Sequence, residues 1–279
     1  FLSAMRHASN QDAARFVNLH VLYKKHDYHP CDGTSPMFQK ASLGNQTRAY
    51  FRKYPINLVR NVARKYVQTQ FQAMADVDFL FSANFEPKMR AIAQKTISVN
   101  PKTALVYRIF EIDEQEILDR NGSVTKTDLQ LLFRNGQART FHGQNWWRGH
   151  GIPQLIDWLQ TPESETPGIF NISLSQRYRD RWEPQIVVDR NIPYFDETFP
   201  YRQKNNIELR WELCRAGYEL RLVEDLFVFH RIVPTSKRDN EDEKIETAMT
   251  NYFRYRRAEM IFRQRMLRQY PETLGLCPI

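Results

Sequence analysis

No run of about eighteen consecutive apolar residues occurs anywhere in the 279-residue chain, so nothing in it reads as a membrane span. No signal peptide is visible at its start. The chain opens on Phe1 rather than Met and reads as an excised domain or fragment, with any membrane anchor left to sequence upstream. Cysteine is scarce. Cys31, Cys214 and Cys277 match no zinc module, and an odd count allows at most one internal pair and leaves one thiol over. Runs of five or six basic residues are also missing, as are zinc-finger and other recognition-motif patterns, although the net charge is +8. Nucleic acid is therefore not the expected partner. A nucleotide diphosphate or an acidic sugar is also anionic and suits the same charge. No internal repeat and no low-complexity segment appears.

An apolar share of 42% with 13% aromatics supports a core of substantial size, enough for one large α/β domain or two small ones. Three N-x-S/T sequons, at Asn45, Asn121 and Asn171, lean toward a secretory-pathway lumen.

The chemistry centres on Phe71–Glu86. Ala73-Met74-Ala75 leads into Asp76-Val77-Asp78, and Phe79-Leu80-Phe81 follows. In an extended chain residues i and i+2 point the same way, so Asp76 and Asp78 are expected to present two carboxylates side by side at a strand end. Two anions held that close resist ionisation unless a cation sits between them. Mg²⁺ or Mn²⁺ favours carboxylate oxygen and keeps positions open for phosphate. α/β sheets bind ligands at the carboxyl ends of their strands, which agrees with this placement.

The rest of the chain alternates strands and helices. Phe1–His7 reads as a helix end, Phe16–Tyr23 as a strand and Lys24–Gln46 as a loop. Tyr54-Pro55 opens a helix whose apolar stripe is Ile56, Val59, Val62, Ala63, Tyr66 and Val67. Asn57, Arg60, Asn61 and Arg64 lie on its flanks, either solvated or, for Asn57 and Arg60, near a nucleotide phosphate. Phe85–Val99 is expected to be a helix, Thr103–Ile112 a strand, and Asp113–Asp119 and Thr127–Arg134 short helices. The stretch 143–158, rich in Trp, Gly and His, reads either as a carbohydrate-facing loop or as a surface loop pinned by Trp146 and Trp147, and it runs into a short helix at Ile152–Leu159. Gln185–Asp189 and Leu220–Ile232 read as strands. Asn206–Arg215 is a helix closed by Gly217, and Asp239–Tyr270 is a long amphipathic helix with Ile245, Met249, Tyr252 and Phe253 on its buried stripe. The pattern predicts a single α/β domain over 1–279, a mixed central sheet with helices on both faces, and a C-terminal helix and tail from 239.

Several short motifs occur in a telling order: Tyr54–Ala63, Asp76-Val77-Asp78-Phe79-Leu80, Arg148-Gly149-His150 with Trp158, Trp182-Glu183-Pro184, Pro193–Phe199 and Phe229-His230. From about Tyr54 to about Tyr255 the chain resembles glycosyltransferase family 49, the group of the β-1,4-glucuronyltransferases and the second catalytic domain of the LARGE enzymes. The resemblance implies a GT-A fold and an inverting, metal-dependent transfer from a UDP-sugar, typically UDP-glucuronic acid, to a glycan acceptor. It also implies a type II membrane protein of the Golgi lumen. By position, Asp76 and Asp78 would hold Mn²⁺, with Mg²⁺ as the substitute, and His230 would be the third protein ligand. Asn57 and Arg60 would sit on the donor side, Asn205 would keep a donor-side asparagine, and His150 and the nearby tryptophans would shape the sugar pocket. Asp196, Glu197 and Glu183 are all candidates for the base that deprotonates the acceptor.

Two features depart from the family's pattern. Gln203 stands where the family has a glycine, and Asn206 replaces a basic residue. An early strand that grips the uracil ahead of a helix such as Phe1–His7 is missing from this sequence. A catalytically weak or inactive relative that binds carbohydrate is the alternative reading.

Overall fold

The computed structural model describes His20 and residues 54–143, 146–174, 181–232 and 241–279, with side chains in the last segment from 249 onward. The chain divides into two units, Phe1–Gly44 and Asn45–Ile279. The boundary falls inside the polar stretch Lys24–Gln46, and the fold below is that of the second unit. The strand expected at Phe16–Tyr23 and the helix end at Phe1–His7 lie outside the described residues.

The elements run α1 (Ile56–Lys65), β1 (Phe71–Ala73), β2 (Leu80–Phe81), α2 (Phe85–Thr96), β3 (Thr103–Ile112), α3 (Glu114–Asp119), α4 (Lys126–Arg134), β4 (Ala138–Thr140), α5 (Trp147–His150), α6 (Leu155–Gln160), β5 (Gln185–Asp189), α7 (Ile207–Arg215), β6 (Glu219–Arg231) and α8 (Glu241–Gln269). The sheet order is β1-β5-β3-β6-β2, with β4 also on β3. β3 and β6 are parallel, and the remaining pairings are antiparallel. Because β1 and β3 are each antiparallel to β5, β1 runs the same way as β3 and β6.

β3 is buried along its whole length, and its two faces show the period of two that a strand imposes. Ala104, Val106, Phe110 and Ile112 pack in a core with Leu129 and Leu132 of α4, Trp158 of α6, and Leu209 and Leu213 of α7. Leu105, Tyr107 and Ile109 face the opposite way and pack against Phe85, Met89, Ile92 and Ala93 of α2. The expected mixed sheet with helices on both faces is therefore present. A third cluster joins the far side of α7 to α8 through Ile207, Trp211, Tyr255, Phe262 and Met266. A disulfide between Cys214 and Cys277 fastens the chain end to α7.

Two helices bury faces other than those expected. In α8, Met249, Tyr252 and Phe253 are exposed, and the buried line is Asn251, Tyr255, Ala258, Phe262 and Met266. Apolar residues lie on both sides of this helix, so periodicity gave two phases, and the partner surface on α7 selected one. The side chain of Ile245 lies outside the described residues. In α1 the polar flank is the buried side: Asn57, Asn61 and Arg64 are buried, while Tyr66 is half exposed. These three polar side chains satisfy backbone groups of the segment after β5. Asn61 donates to Phe195 O (2.9 Å) and accepts from Phe195 N (2.9 Å), and Arg64 donates to Pro193 O (2.8 Å) and Ile192 O (3.0 Å). A loop without secondary structure needs such partners for its buried carbonyls.

Candidate active site

The carboxyl ends of β1, β3 and β6 open on one side of the sheet, the place where α/β folds assemble ligand sites. β1 ends at Ala73, so Asp76-Val77-Asp78 does not continue the strand as the alternation suggested. It forms a turn, closed by Phe79 N donating to Asp76 O at 3.2 Å. The two aspartates are neighbours through that turn instead of through the pleat. β2 then pairs with β6 in the register Leu80↔Phe229, which sets Asp78 beside the end of β6. His230 Nε2 stands 3.0 Å from Asp78 Oδ2, across 152 residues of sequence. Its Nδ1 lies 2.6 Å from Arg231 O, so Nδ1 carries the proton and Nε2 presents either a lone pair or, in the imidazolium, a second proton.

Asp76 remains open to solvent on one side. The protein packed around the rest of it desolvates the carboxyl and raises its pKa. Arg60 opposes the rise, Asp78 adds to it, and His230 opposes it. Crowded carboxylates beside an imidazole suit a divalent cation by donor chemistry. Among the described residues, however, no three His, Cys, Asp or Glu side chains already form a metal cage. Asp78 and His230 stand closest, and the exposed turn carries Asp76 next to them.

Arg60 ties this corner to the rest of the site. It donates from Nη1 to Asn57 Oδ1 (3.1 Å) and to Asn205 O (3.0 Å), and its guanidinium lies 5.0 Å from the centre of the Phe195 ring. Burial lowers its pKa, and the carboxylates of Asp76, Glu208 and Glu183 oppose that fall. Asn57 is buried and donates to Asp196 O at 2.9 Å. Asn205 is buried and enters through its backbone carbonyl.

The three carboxylates considered as bases occupy different surroundings. Glu183 is pushed to a higher pKa by burial, against the pull of hydrogen bonds from Asn206 and Trp146 and the charge of Arg60, and Asp76 adds to the rise. Asn206 Nδ2 reaches Glu183 Oε2 at 3.3 Å. Asn206 therefore bonds Glu183 without forming an ion pair. Asp196 instead faces Arg265 of α8 (3.3 Å) and accepts from Thr198 N at 3.0 Å. Glu197 accepts from Asn61 Nδ2 at 2.9 Å.

The Arg148-Gly149-His150 motif supports Glu183 from behind. Glu183 N donates to Gly149 O at 2.7 Å. A methyl group at Gly149 would overlap the Trp146 indole, and one at Gly151 would overlap that of Trp147. His150 is held neutral, its pKa lowered to about 4 by burial and by nearby His142. Its Nδ1 is buried without a hydrogen-bond partner. Trp158 lies away from this pocket, fully buried in the core with its indole N–H on Val223 O at 2.9 Å.

Phe141 and His142 escaped the sequence reading. Phe141 stacks on His142 (4.0 Å between centroids) and meets His150 (5.0 Å) and His230 (6.0 Å) edge-on, so one ring joins three imidazoles. They sit here because β4 pairs with Phe110–Ile112. A three-residue strand carries almost no alternation signal. The fragment Thr140-Phe141-His142, directly before the Trp- and His-rich stretch, was the one available cue.

A mixed sheet with acidic and imidazole side chains gathered at the carboxyl ends of its parallel strands is that of a ligand-binding α/β protein. Comparison with known proteins narrows the class: the family described as "Glycosyl-transferase for dystroglycan" matches residues 2–271, and the chain belongs to this family, glycosyltransferase family 49. Similar relatives include β-1,4-glucuronyltransferase 1 of Danio rerio, 25% identical over 84% of this chain and 53% of that protein, and its Mus musculus counterpart, 26% identical over 85% and 52%. LARGE2, a xylosyl- and glucuronyltransferase of Homo sapiens, is 30% identical over 63% of this chain and 23% of its own. The chain thus spans about half the length of the β-1,4-glucuronyltransferases it matches. A crystal structure of GalNAc-T7 with UDP, GalNAc and Mn²⁺ overlaps 70% of this chain and 34% of that one at 12% identity and a TM-score of 0.38, a likeness too slight to bear on substrate or metal.

Proposed function

We propose that this chain is the catalytic domain of an inverting, metal-dependent glycosyltransferase that moves glucuronic acid from UDP-glucuronic acid to a glycan acceptor. The observation that carries the reading is the meeting of Asp78 with His230, 152 residues apart, at the carboxyl end of the sheet. Family membership supports the reaction class, and the relatives' names support glucuronic acid as the sugar transferred. Asp76, Asp78 and His230 would hold Mn²⁺, or Mg²⁺ in its place, which when bound neutralises the charge that builds on a diphosphate leaving group.

The remaining roles belong to the chain's own side chains. Arg60, facing Asp76 and Glu183, offers a guanidinium to the donor's anionic groups, either the diphosphate or the uronate carboxylate. Glu183 removes the proton from the acceptor hydroxyl as that oxygen attacks the anomeric carbon. The bond from that carbon to the diphosphate breaks on the opposite face, and UDP departs. Glu183 is favoured over Asp196 and Glu197 because it shares its electrostatic surroundings with Asp76 and Arg60, whereas Asp196 is paired to Arg265 and Glu197 is engaged by Asn61. His150, Phe141 and His142 line the side toward the sugars. An oxidising Golgi lumen agrees with the Cys214–Cys277 disulfide and with the exposure of the sequon residues Asn121 and Asn171.

The test is a donor screen across UDP-glucuronic acid, UDP-xylose, UDP-galactose and UDP-N-acetylglucosamine with Mn²⁺. Turnover is expected with the uronate donor, and Asp78→Asn is expected to abolish it without moving the thermal midpoint. Full activity in Asp78→Asn would remove the metal role. No turnover with any donor would leave a carbohydrate-binding relative.

A further inference from the structure

Glu208, in the first turn of α7, is a carboxyl that neither the sequence reading nor the proposed chemistry uses. It is fully buried. Its Oε1 accepts two hydrogen bonds, from Asn57 Nδ2 (3.3 Å) and from Asp196 N (3.1 Å). Its Oε2 is buried with no hydrogen-bond partner. Asn57, also buried, spends its amide on Asp196 O and Glu208 and turns its one acceptor oxygen to Arg60. A continuous line of hydrogen bonds therefore runs from the interior of α7 through Asn57 to the guanidinium that faces Asp76 and Glu183.

From this geometry we infer that Glu208 is a positioning residue: its carboxyl oxygen fixes the Asn57 amide, and through it the direction in which Arg60 presents its guanidinium to the donor. The inference rests on the donor-side role proposed above for Arg60. An asparagine amide can flip, exchanging donor for acceptor. With its nitrogen claimed by two oxygens, Asn57 has only its oxygen left for Arg60. The groups that face Glu208 are Asp196 before α7, Glu212 one turn along α7, Arg265 of α8, and Arg60 and Arg64 of α1. Burial, with Asp196 and Glu212 nearby, pushes the pKa of this carboxyl well above the ordinary carboxylate value. Both bonds are accepted by one oxygen, which a carboxamide of the same shape also supplies.

Three variants of the full chain separate this role from a structural one: Glu208→Gln, Glu208→Leu and Arg60→Ala. The first readout needs no donor. It is the NMR signal of the Arg60 Nη1 protons, which bond Asn57 Oδ1, and their protection from solvent exchange. Glu208→Gln is expected to keep that protection, and Glu208→Leu to lose it at an unchanged overall fold by circular dichroism. The second readout is the donor KM. Glu208→Leu is expected to raise it about tenfold in the wild-type background and by less than about twofold in the Arg60→Ala background, the non-additivity of two groups acting in series. An Arg60 that stays protected in Glu208→Leu overturns the inference, as does an equal KM effect in both backgrounds. Lost protection with no change in donor KM supports the relay and counts against Arg60 as a donor contact, so the two claims fail separately. If Glu208→Leu does not fold, Asn57→Leu interrupts the same line one step nearer Arg60 and is read by the same two measurements.

Discussion

Glu183 stands between opposing electrostatic influences. Desolvation favours its neutral form, while Asn206, Trp146 and Arg60 favour the carboxylate. The net result is a pKa above the ordinary carboxylate value, which is where a general base gains driving force near neutral pH. The sign follows directly. The residue works as a base only when ionised, so activity rises with pH through its raised pKa and is lost as pH falls below it. Glu183→Gln is expected to lower kcat by about 10²–10⁴ and to remove that acidic limb from the kcat profile. An unchanged profile in the variant would transfer the role to another group. The three base candidates could not be ranked from sequence, since Asp196, Glu197 and Glu183 all stand in loops beside prolines and aromatics. What separates them is tertiary: the Arg265 guanidinium reaches Asp196 from α8, 69 residues on. Asp76 and Asp78, proposed above as metal ligands, stand out in the sequence for a different reason. Their i and i+2 spacing suggested a pleat, but they stand in a turn after a three-residue strand.

Element types came through well where patterns were long. β3 was expected at Thr103–Ile112 and β5 at Gln185–Asp189, and both occur with those bounds. Faces were harder to read than types. α1 carries a clear apolar stripe yet buries Asn57, Asn61 and Arg64, because the unstructured segment after β5 has carbonyls that only polar side chains can satisfy. α8 carries apolar residues on two sides, and only its contact with Trp211 and Phe199 decides between them. A pair of substitutions checks the observed face. Phe262 is fully buried, so Phe262→Ala is expected to cost about 3–5 kcal/mol in denaturant unfolding. Phe253 is 82% exposed, so Phe253→Ala is expected to stay within about 0.5 kcal/mol. Equal losses at the two positions would contradict the assigned face.

On the scale of the whole molecule, the sheet gathers groups scattered through the sequence, and α8 closes over α7 from outside. The disulfide holds that closure by linking residues 63 apart in sequence. Cross-linking a loop of that size stabilises by about 4 kcal/mol in the chain-entropy model. Cys277→Ser is expected to lose a large part of this, and dithiothreitol to reproduce the loss in the native chain without affecting the variant. A native chain indifferent to reduction would remove the disulfide from the account. Three cysteines alone allowed at most one pair and could not name it, since the partner choice depends on where α8 returns the chain end. The proposal that Asp76, Asp78 and His230 hold one divalent cation underlies the whole account of the site. Electron paramagnetic resonance of Mn²⁺ titrated into the chain with UDP tests it most directly. One bound ion per chain is expected, with nitrogen coupling from an imidazole that disappears in His230→Ala. A chain that binds no Mn²⁺, or binds it with no nitrogen signal, would contradict the account.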